Sequence, residues 1–316
     1  MRRTTSRAAK GERGDLYSEV TARIVAELEA GRVPWVRPWE RSGTGPCLPH
    51  NAATRRPYSG INILLLWGAA DERSFAGQGW LTFRQALGAG GAVRKGERGT
   101  TIFYADSFVP EGERARAVEQ GDDPKAVAFL KRFTVFHVDQ CDGLPEGLSG
   151  AGAPLPEAEQ VPLAEAVIAA SGVPFRIGGD EACYLPGPDL VLMPPPRAFF
   201  APLDFYRTAL HELTHATGHA KRLGRRLLNT FGSKDYAREE LVAEMGSAFL
   251  CAALGIVPTV RHADYIGSWL AVLREDNRAI FRAASQASKA ADWLLTCHRE
   301  AEQAAAACPQ AERIAA

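Results

Sequence analysis

No stretch of this 316-residue chain is apolar for long enough to span a membrane. The longest apolar runs, such as residues 61–67, fall well short of the roughly 20 residues a span requires. Cysteine is sparse: Cys47, Cys141, Cys183, Cys251, Cys297 and Cys308 lie scattered, with no Cys-x-x-Cys pair. That spacing argues against the dense disulfide framework of a small secreted domain. No apolar segment follows the basic start Met1-Arg2-Arg3, so a secretory signal is not expected. No repeat of fixed period is visible. Together these absences lead us to expect a cytoplasmic protein with no membrane partner and mostly inert, buried cysteines.

Net charge is also missing, because 37 Lys+Arg balance 37 Asp+Glu. The balance is not local. Residues 1–100 carry 16 basic and 9 acidic side chains, and residues 101–316 carry 21 and 28. Such asymmetry fits a basic half that meets an anionic partner such as nucleic acid, or a merely solvated basic surface.

Hydrophobic residues at 46% and charged residues at 23% are ordinary for a globular protein, and the length allows two domains. Val20, Ile24, Val25 and Leu28 recur at helical spacing over 15–30, and Gly31 stops that helix. Residues 62–70 are apolar and helical, and a short helix follows Phe83. Residues 100–108 and 129–138 read as strands, with a polar loop over 110–124. Gly and Pro make 142–160 the candidate linker. Beyond it we expect a helix at 163–171 and strands at 175–177, 182–185 and 190–193. Helices follow at 203–217 and 236–254, with a helical tail over 265–307. The expected fold is α+β with two domains: a mixed α/β domain over 15–142 and a second domain over 160–300.

The chemistry concentrates in His211-Glu212-Leu213-Thr214-His215. On a helix, positions i and i+4 share a face, so His211 and His215 can hold one cation. Glu212 sits beside them, placed to take a proton from a water on that cation. The motif lies inside a helical pattern and Gly218 ends it, which favours a metal over two idle surface histidines. A catalytic zinc usually takes three protein ligands. Position 221, where metzincins carry a third histidine, is Lys221, so that class fails. His219 is at the wrong spacing and reads as structural. The next helix offers Glu240 and Glu244, again i and i+4, among apolar neighbours. Carboxylates near a core need partners, and a metal and a metal-bound imidazole would supply one each.

These residues resemble the thermolysin-type zincins, or gluzincins. The resemblance implies Glu240 as third ligand, Glu244 as support for His211, and Zn2+ as cofactor. Glu239 stands where that family prefers Asn; Glu244 as ligand and another divalent metal stay open. An edge strand above the metal is part of the same resemblance, and 190–193 is the expected strand. Tyr184, Tyr206 and Tyr236 are candidates to polarise a substrate carbonyl, with Tyr206 read as packing.

In the first half, Trp35, Trp39, Tyr58, Trp67, Trp80 and Phe83 interleave with Arg37, Arg41, Arg55, Arg56, Arg84, Arg94, Lys95 and Arg98. Aromatic faces stack on unpaired bases while cations follow phosphates, which is how single strands are held. Core packing is the competing reading for each aromatic residue, and Trp67 fits it best. The turn 94–99 presents its cations at a strand start, where phosphate contact is favoured.

Tyr17, Pro34-Trp35, Pro38-Trp39, Tyr58-Ser59-Gly60-Ile61-Asn62, Trp80-Leu81-Thr82-Phe83 and residues 93–99 resemble the N-terminal domain of ArdC-type antirestriction proteins, shared with TraC-type plasmid primases. Residues 205–218, 236–250 and 265–295 resemble the ArdC metallopeptidase domain. The resemblance implies a single-stranded-DNA-binding domain fused to a zincin that acts in conjugation by blunting host restriction. Our candidate DNA contacts in that domain are Trp35, Trp39, Arg55, Tyr58, Asn62, Trp80, Arg94, Lys95 and Arg98. An unidentified protein, a host restriction component among the candidates, would be the substrate. The alternative is a DNA-binding antirestriction protein whose metal site is structural or inactive.

Overall fold

The computed structural model describes residues 16–36, 45–111, 113, 116, 127–148, 154–227, 232–259 and 265–307. Trp39, Arg37, Arg41 and most of the expected loop 110–124 lie outside them.

Helix α1 (Leu16–Glu29) buries Val20, Ile24 and Leu28 on one stripe. Gly31, at φ 72°, follows it in the left-handed region, which costs other residues backbone strain. Helix α2 (Ile61–Glu72) is apolar on every side and buried over most of its length, as a helix inside a core must be. The main sheet runs β1 (His50–Asn51), β2 (Gly79–Leu81), β5 (Val127–His137), β4 (Thr100–Phe108). β1 and β2 are parallel and the other pairs antiparallel. Helix α3 (Phe83–Gly88) leaves β2 through a capping box made by Thr82 and Gln85. A two-stranded ribbon of β3 (Ala92–Val93) and β6 (Cys141–Asp142) completes this segment.

Inside the expected 142–160 linker begins α4 (Glu157–Ala170), which starts six residues earlier than its apolar pattern suggests. A three-stranded sheet follows, ordered β7 (Phe175–Ile177), β9 (Leu190–Met193), β8 (Cys183–Leu185). The strand at 190–193 is therefore central, not the expected edge. β7 and β8 occupy its two sides, so its backbone groups are taken by the ladder. Among the described residues, four helices follow: α5 (Pro202–Thr217), α6 (Lys234–Ala253), α7 (Ile266–Glu275) and α8 (Ala279–Ala307). The single helical tail expected over 265–307 is thus broken at Asp276, whose side chain accepts from the Arg278 amide at 3.0 Å.

Helix α6 is the centre of the second segment, buried almost continuously from Glu240 to Ala252. Gly246 lets α5 approach it. A Cβ at Gly246 would stand 2.5 Å from the Thr214 methyl group. A mid-helix glycine costs about 1 kcal/mol against alanine; here it permits a contact that alanine would forbid.

The largest apolar cluster spans both segments, while two smaller ones, around Trp80 and Leu81, stay within the first. Trp35 meets Trp269 of α7 edge-on at 5.4 Å, and Trp67 of α2 meets Phe249 of α6 at 5.7 Å. Tyr17 meets Phe281 of α8 at 4.7 Å. Polar ties follow the same seam: Thr21 Oγ1 donates to Asn277 O at 2.7 Å, and the Gly60 amide donates to Ser288 Oγ at 2.7 Å. One apolar cluster therefore runs from α1 and α2 into α5–α8.

Gly246→Ala is expected to destabilise the protein by about 1–3 kcal/mol through overpacking, despite the better helix propensity of alanine. Adding Thr214→Ser, which removes the clashing methyl, should restore most of it. Urea melts of the three variants check this, and a stabilised single variant would refute the close approach.

Candidate metal centre

The end of α5 and the start of α6 converge in one cleft of about 260 Å³, whose walls include His211, Glu212, His215, Tyr236, Glu240 and Cys183. His211 Nε2 lies 3.5 Å from Glu240 Oε2, and His215 Nε2 lies 3.5 Å from Glu240 Oε1. Both imidazoles thus point the same nitrogen at one carboxylate. Ligand atoms of His211, His215 and Glu240 lie within 4.8 Å of one another. His211, Glu212, Glu240 and Glu244 are all buried. Two imidazoles and a carboxylate, brought together away from water, are a donor set that fits a divalent cation.

The outer nitrogens are also faced by carboxylates. His211 Nδ1 lies 3.9 Å from Glu244 Oε1, and His215 Nδ1 lies 3.2 Å from Glu239 Oε1. A carboxylate behind a ligand histidine fixes its tautomer and ring orientation. Glu240 thus faces the inner nitrogens and Glu244 an outer one. Glu239, which in sequence stands out only as a departure from the gluzincin pattern, joins them behind His215. Arg225 donates to Glu239 through Nε at 3.1 Å and Nη2 at 2.9 Å. Nothing in the sequence distinguishes Arg225, which sits in an irregular loop.

Electrostatics follow this geometry. Burial works against a charge on His215, but hydrogen bonds and charge from Glu239 and Glu240 push its pKa up to about 10. Burial likewise opposes charge on Glu240, yet His211 and His215 hold its carboxyl well below the usual range.

Tyr236 is the best placed of the three tyrosines. It lines the cleft, and its hydroxyl meets that of Tyr265 at 3.2 Å. Burial, the Tyr265 contact and Glu240 all raise its pKa, so it keeps its proton and can donate. Tyr184 instead donates to Asp189 at 2.7 Å, and Tyr206 donates to Glu165 at 2.7 Å. His219 faces Asp189 at 3.7 Å, outside the group of converging ligand atoms. The strand bordering the cleft is β8, through Cys183 and Tyr184. Burial, then the charges of Glu212 and Glu181, push the Cys183 thiol up, which keeps it protonated.

The candidate DNA contacts divide sharply. Trp35 and Trp80 have no exposed surface. Trp35 is engaged with Trp269, and Trp80 lies against Phe75 and His137, with ring centroids 6.1 and 4.9 Å away. Neither has a face left for a base, so both leave the set. Asn62 is a clamp: Nδ2 donates to Phe103 O at 2.7 Å, and the Phe103 amide donates back at 2.8 Å. Tyr58 is half-buried against the α2 core. Arg55 is exposed but donates to Gly147 O at 2.8 Å. Arg94, Lys95 and Arg98 are exposed on the turn before β4, with Arg94 paired to Glu97 at 2.9 Å and Asp142 at 3.4 Å. Phe83, absent from the expected contacts, is 51% exposed and meets Phe136 at 6.5 Å.

About one divalent ion per chain is expected, as a three-ligand site requires. Glu240→Ala should abolish binding, and Glu244→Ala should weaken it about 10- to 100-fold. Elemental analysis with chelator competition measures both; the opposite order would exchange the two roles.

Comparison with known proteins gives the family. Residues 162–286 match the family model described as a zincin-like metallopeptidase, and residues 14–136 match the N-terminal domain of anti-restriction factor ArdC. The metal-free crystal structure of antirestriction protein ArdC from plasmid R388 superposes with a TM-score of 0.75 at 39% identity. That alignment covers 91% of this chain and 99% of ArdC. The Mn(II)-bound form of the same protein gives 0.74. Protein y4eC of Sinorhizobium fredii is 39% identical over 92% of this chain and 94% of its own length. DNA primase TraC of Escherichia coli is 40% identical over 88% of this chain, which spans only 27% of that protein. Aligned along nearly its whole length, the chain belongs to the ArdC family of antirestriction proteins, with an ArdC N-terminal domain followed by a zincin-like metallopeptidase domain.

Proposed function

We propose that this antirestriction protein binds single-stranded DNA through its first segment and cleaves a protein substrate at the α5–α6 site. The observation that carries the peptidase reading is the convergence of His211 and His215 on Glu240 with Glu212 in the same cleft. A zinc or other divalent ion held by those three side chains would polarise a carbonyl and acidify a water. Glu212 then takes the proton from the water and passes it to the leaving amine. The Tyr236 hydroxyl donates to the carbonyl oxygen as negative charge builds there. β8 forms one edge of its sheet among the described residues. That edge offers backbone groups to an extended peptide, a strand addition that aligns the scissile bond with the cleft. The substrate is a protein of the host restriction machinery, and the place of action is the cytoplasm of the cell that receives DNA. Among the described residues no helix is long and apolar enough to cross a membrane.

The DNA surface centres on Phe83, Phe136 and the turn 94–99. Gly99 joins that turn to β4, and a Cβ there would meet Thr134 at 2.3 Å and Phe136 at 3.1 Å. The cations of Lys95 and Arg98 are thus carried on a turn next to the Phe83–Phe136 pair. The exposed Thr101 and Thr134 complete the face. Aromatic faces for bases and cations for phosphates, side by side, suit a single strand of any sequence.

Glu212→Gln should retain metal and DNA binding but lose protection of incoming DNA in a restricting host. Unchanged protection would instead make the metal site structural. Phe83→Ser should weaken binding of an oligothymidylate by about 1–3 kcal/mol, one stacked base. Lys95→Gln with Arg98→Gln should flatten the salt dependence by roughly 0.7 in log K per log salt for each phosphate no longer neutralised. Fluorescence anisotropy across a salt series reads both; unchanged affinity and slope would move the DNA surface elsewhere.

A further inference from the structure

We infer that Arg225 is a positioning residue for the metal ligand His215, acting through Glu239. The inference rests on the metal centre proposed above and concerns what holds one of its ligands in place.

The Arg225 side chain is 7% exposed, and that of Glu239 is 11% exposed. A carboxylate so placed needs a partner, or it loses its charge. Glu239 is met from two directions. His215 Nδ1 stands 3.2 Å from Oε1. The Arg225 guanidinium grips both oxygens, Nε to Oε2 at 3.1 Å and Nη2 to Oε1 at 2.9 Å. This two-pronged contact fixes the plane of the carboxylate as well as its charge. A fixed Oε1 favours the His215 tautomer whose proton is on Nδ1, which would leave the Nε2 lone pair free for a cation beside Glu240.

Arg225 also grips the other ligand helix. Nη1 donates to Thr217 Oγ1 at 2.8 Å and Nη2 donates to Thr214 O at 2.6 Å. Both partners lie in the last turn of α5, where carbonyls have no helical donor and a cation is favoured. One side chain therefore ties the end of α5, which carries His215, to Glu239 at the start of α6, next to Glu240. The loop returns close enough for this because residue 218 is glycine: a Cβ there would lie 3.0 Å from the Arg225 guanidinium and 2.7 Å from Leu227. Lysine could supply the charge but not the planar fork.

The test is a double-mutant cycle read by metal affinity, not by peptidase activity. Mn2+ and Zn2+ dissociation constants are measured by chelator competition on wild type, Arg225→Gln, Glu239→Gln and the double variant. Circular dichroism checks that each is folded. Arg225→Gln is expected to weaken binding about 10- to 100-fold, the usual effect of losing a group behind a ligand. The double variant should recover much of that loss, because the carboxylate left uncompensated is gone and a neutral amide still faces Nδ1. In the Co2+-loaded protein, Arg225→Gln should also alter the d–d absorption bands that report ligand geometry. Folded Arg225→Gln with wild-type affinity and spectrum would overturn the inference. So would effects that simply add in the double variant. If Arg225→Gln does not fold, Arg225→Lys takes its place, and unchanged metal affinity there would count against the fork. Wild type that binds no metal would sink the metal centre itself, a result distinct from all of these.

Discussion

Four carboxylates and two imidazoles occupy the seam between α5 and α6, and keeping them there away from water is the constraint on which the rest depends. A buried ion that lacks a partner costs several kcal/mol. The seam answers by pairing. Glu240 meets both Nε2 atoms, Glu244 and Glu239 stand behind the rings, and Arg225 neutralises Glu239 from the loop. The helices can come this close because Gly246 brings no side chain to the contact with Thr214. Apolar packing against α8 then makes the approach permanent. The same pairing fixes both rings with their Nε2 atoms turned to Glu240.

Much of this is legible in the sequence, and the reason is periodicity. His211, Glu212 and His215 are spaced by the helix itself, and so are Glu240 and Glu244. Partners within one helix turn can be read from a string of letters. Arg225 and Tyr265 cannot be read that way, because both reach the site across irregular chain. The edge strand is mistaken for a related reason. Strands at 183–185 and 190–193 are both short and apolar, and only the ladder decides which lies in the middle.

The aromatic residues teach the complementary lesson. Trp35, Trp80 and Phe83 look alike in sequence, each near arginines and each near a turn. In the fold, Trp35 and Trp80 are sealed and Phe83 is half open. A large ring next to a cation is equally good as a core block and as a stacking platform, and burial decides between them. Phe83 lies beside the basic turn, so charge and exposed ring area coincide there even though the tryptophans are withdrawn. For Trp35 the same withdrawal helps join the two family segments, because its ring meets Trp269 of α7, whereas Trp80 packs within the first segment.

That shared core has a consequence for how the chain is made. Trp35 and its partner Trp269 are 234 residues apart in sequence, so the flank of α1 and α2 that packs on α7 and α8 stays unburied until those helices leave the ribosome, while the opposite side of α2 already packs on Trp80, Ile102 and Val135. At about 5–20 residues per second the wait is roughly 10 to 50 s. During synthesis the first segment therefore carries an open apolar flank, and until α7 and α8 arrive its occupants must be water or a chaperone.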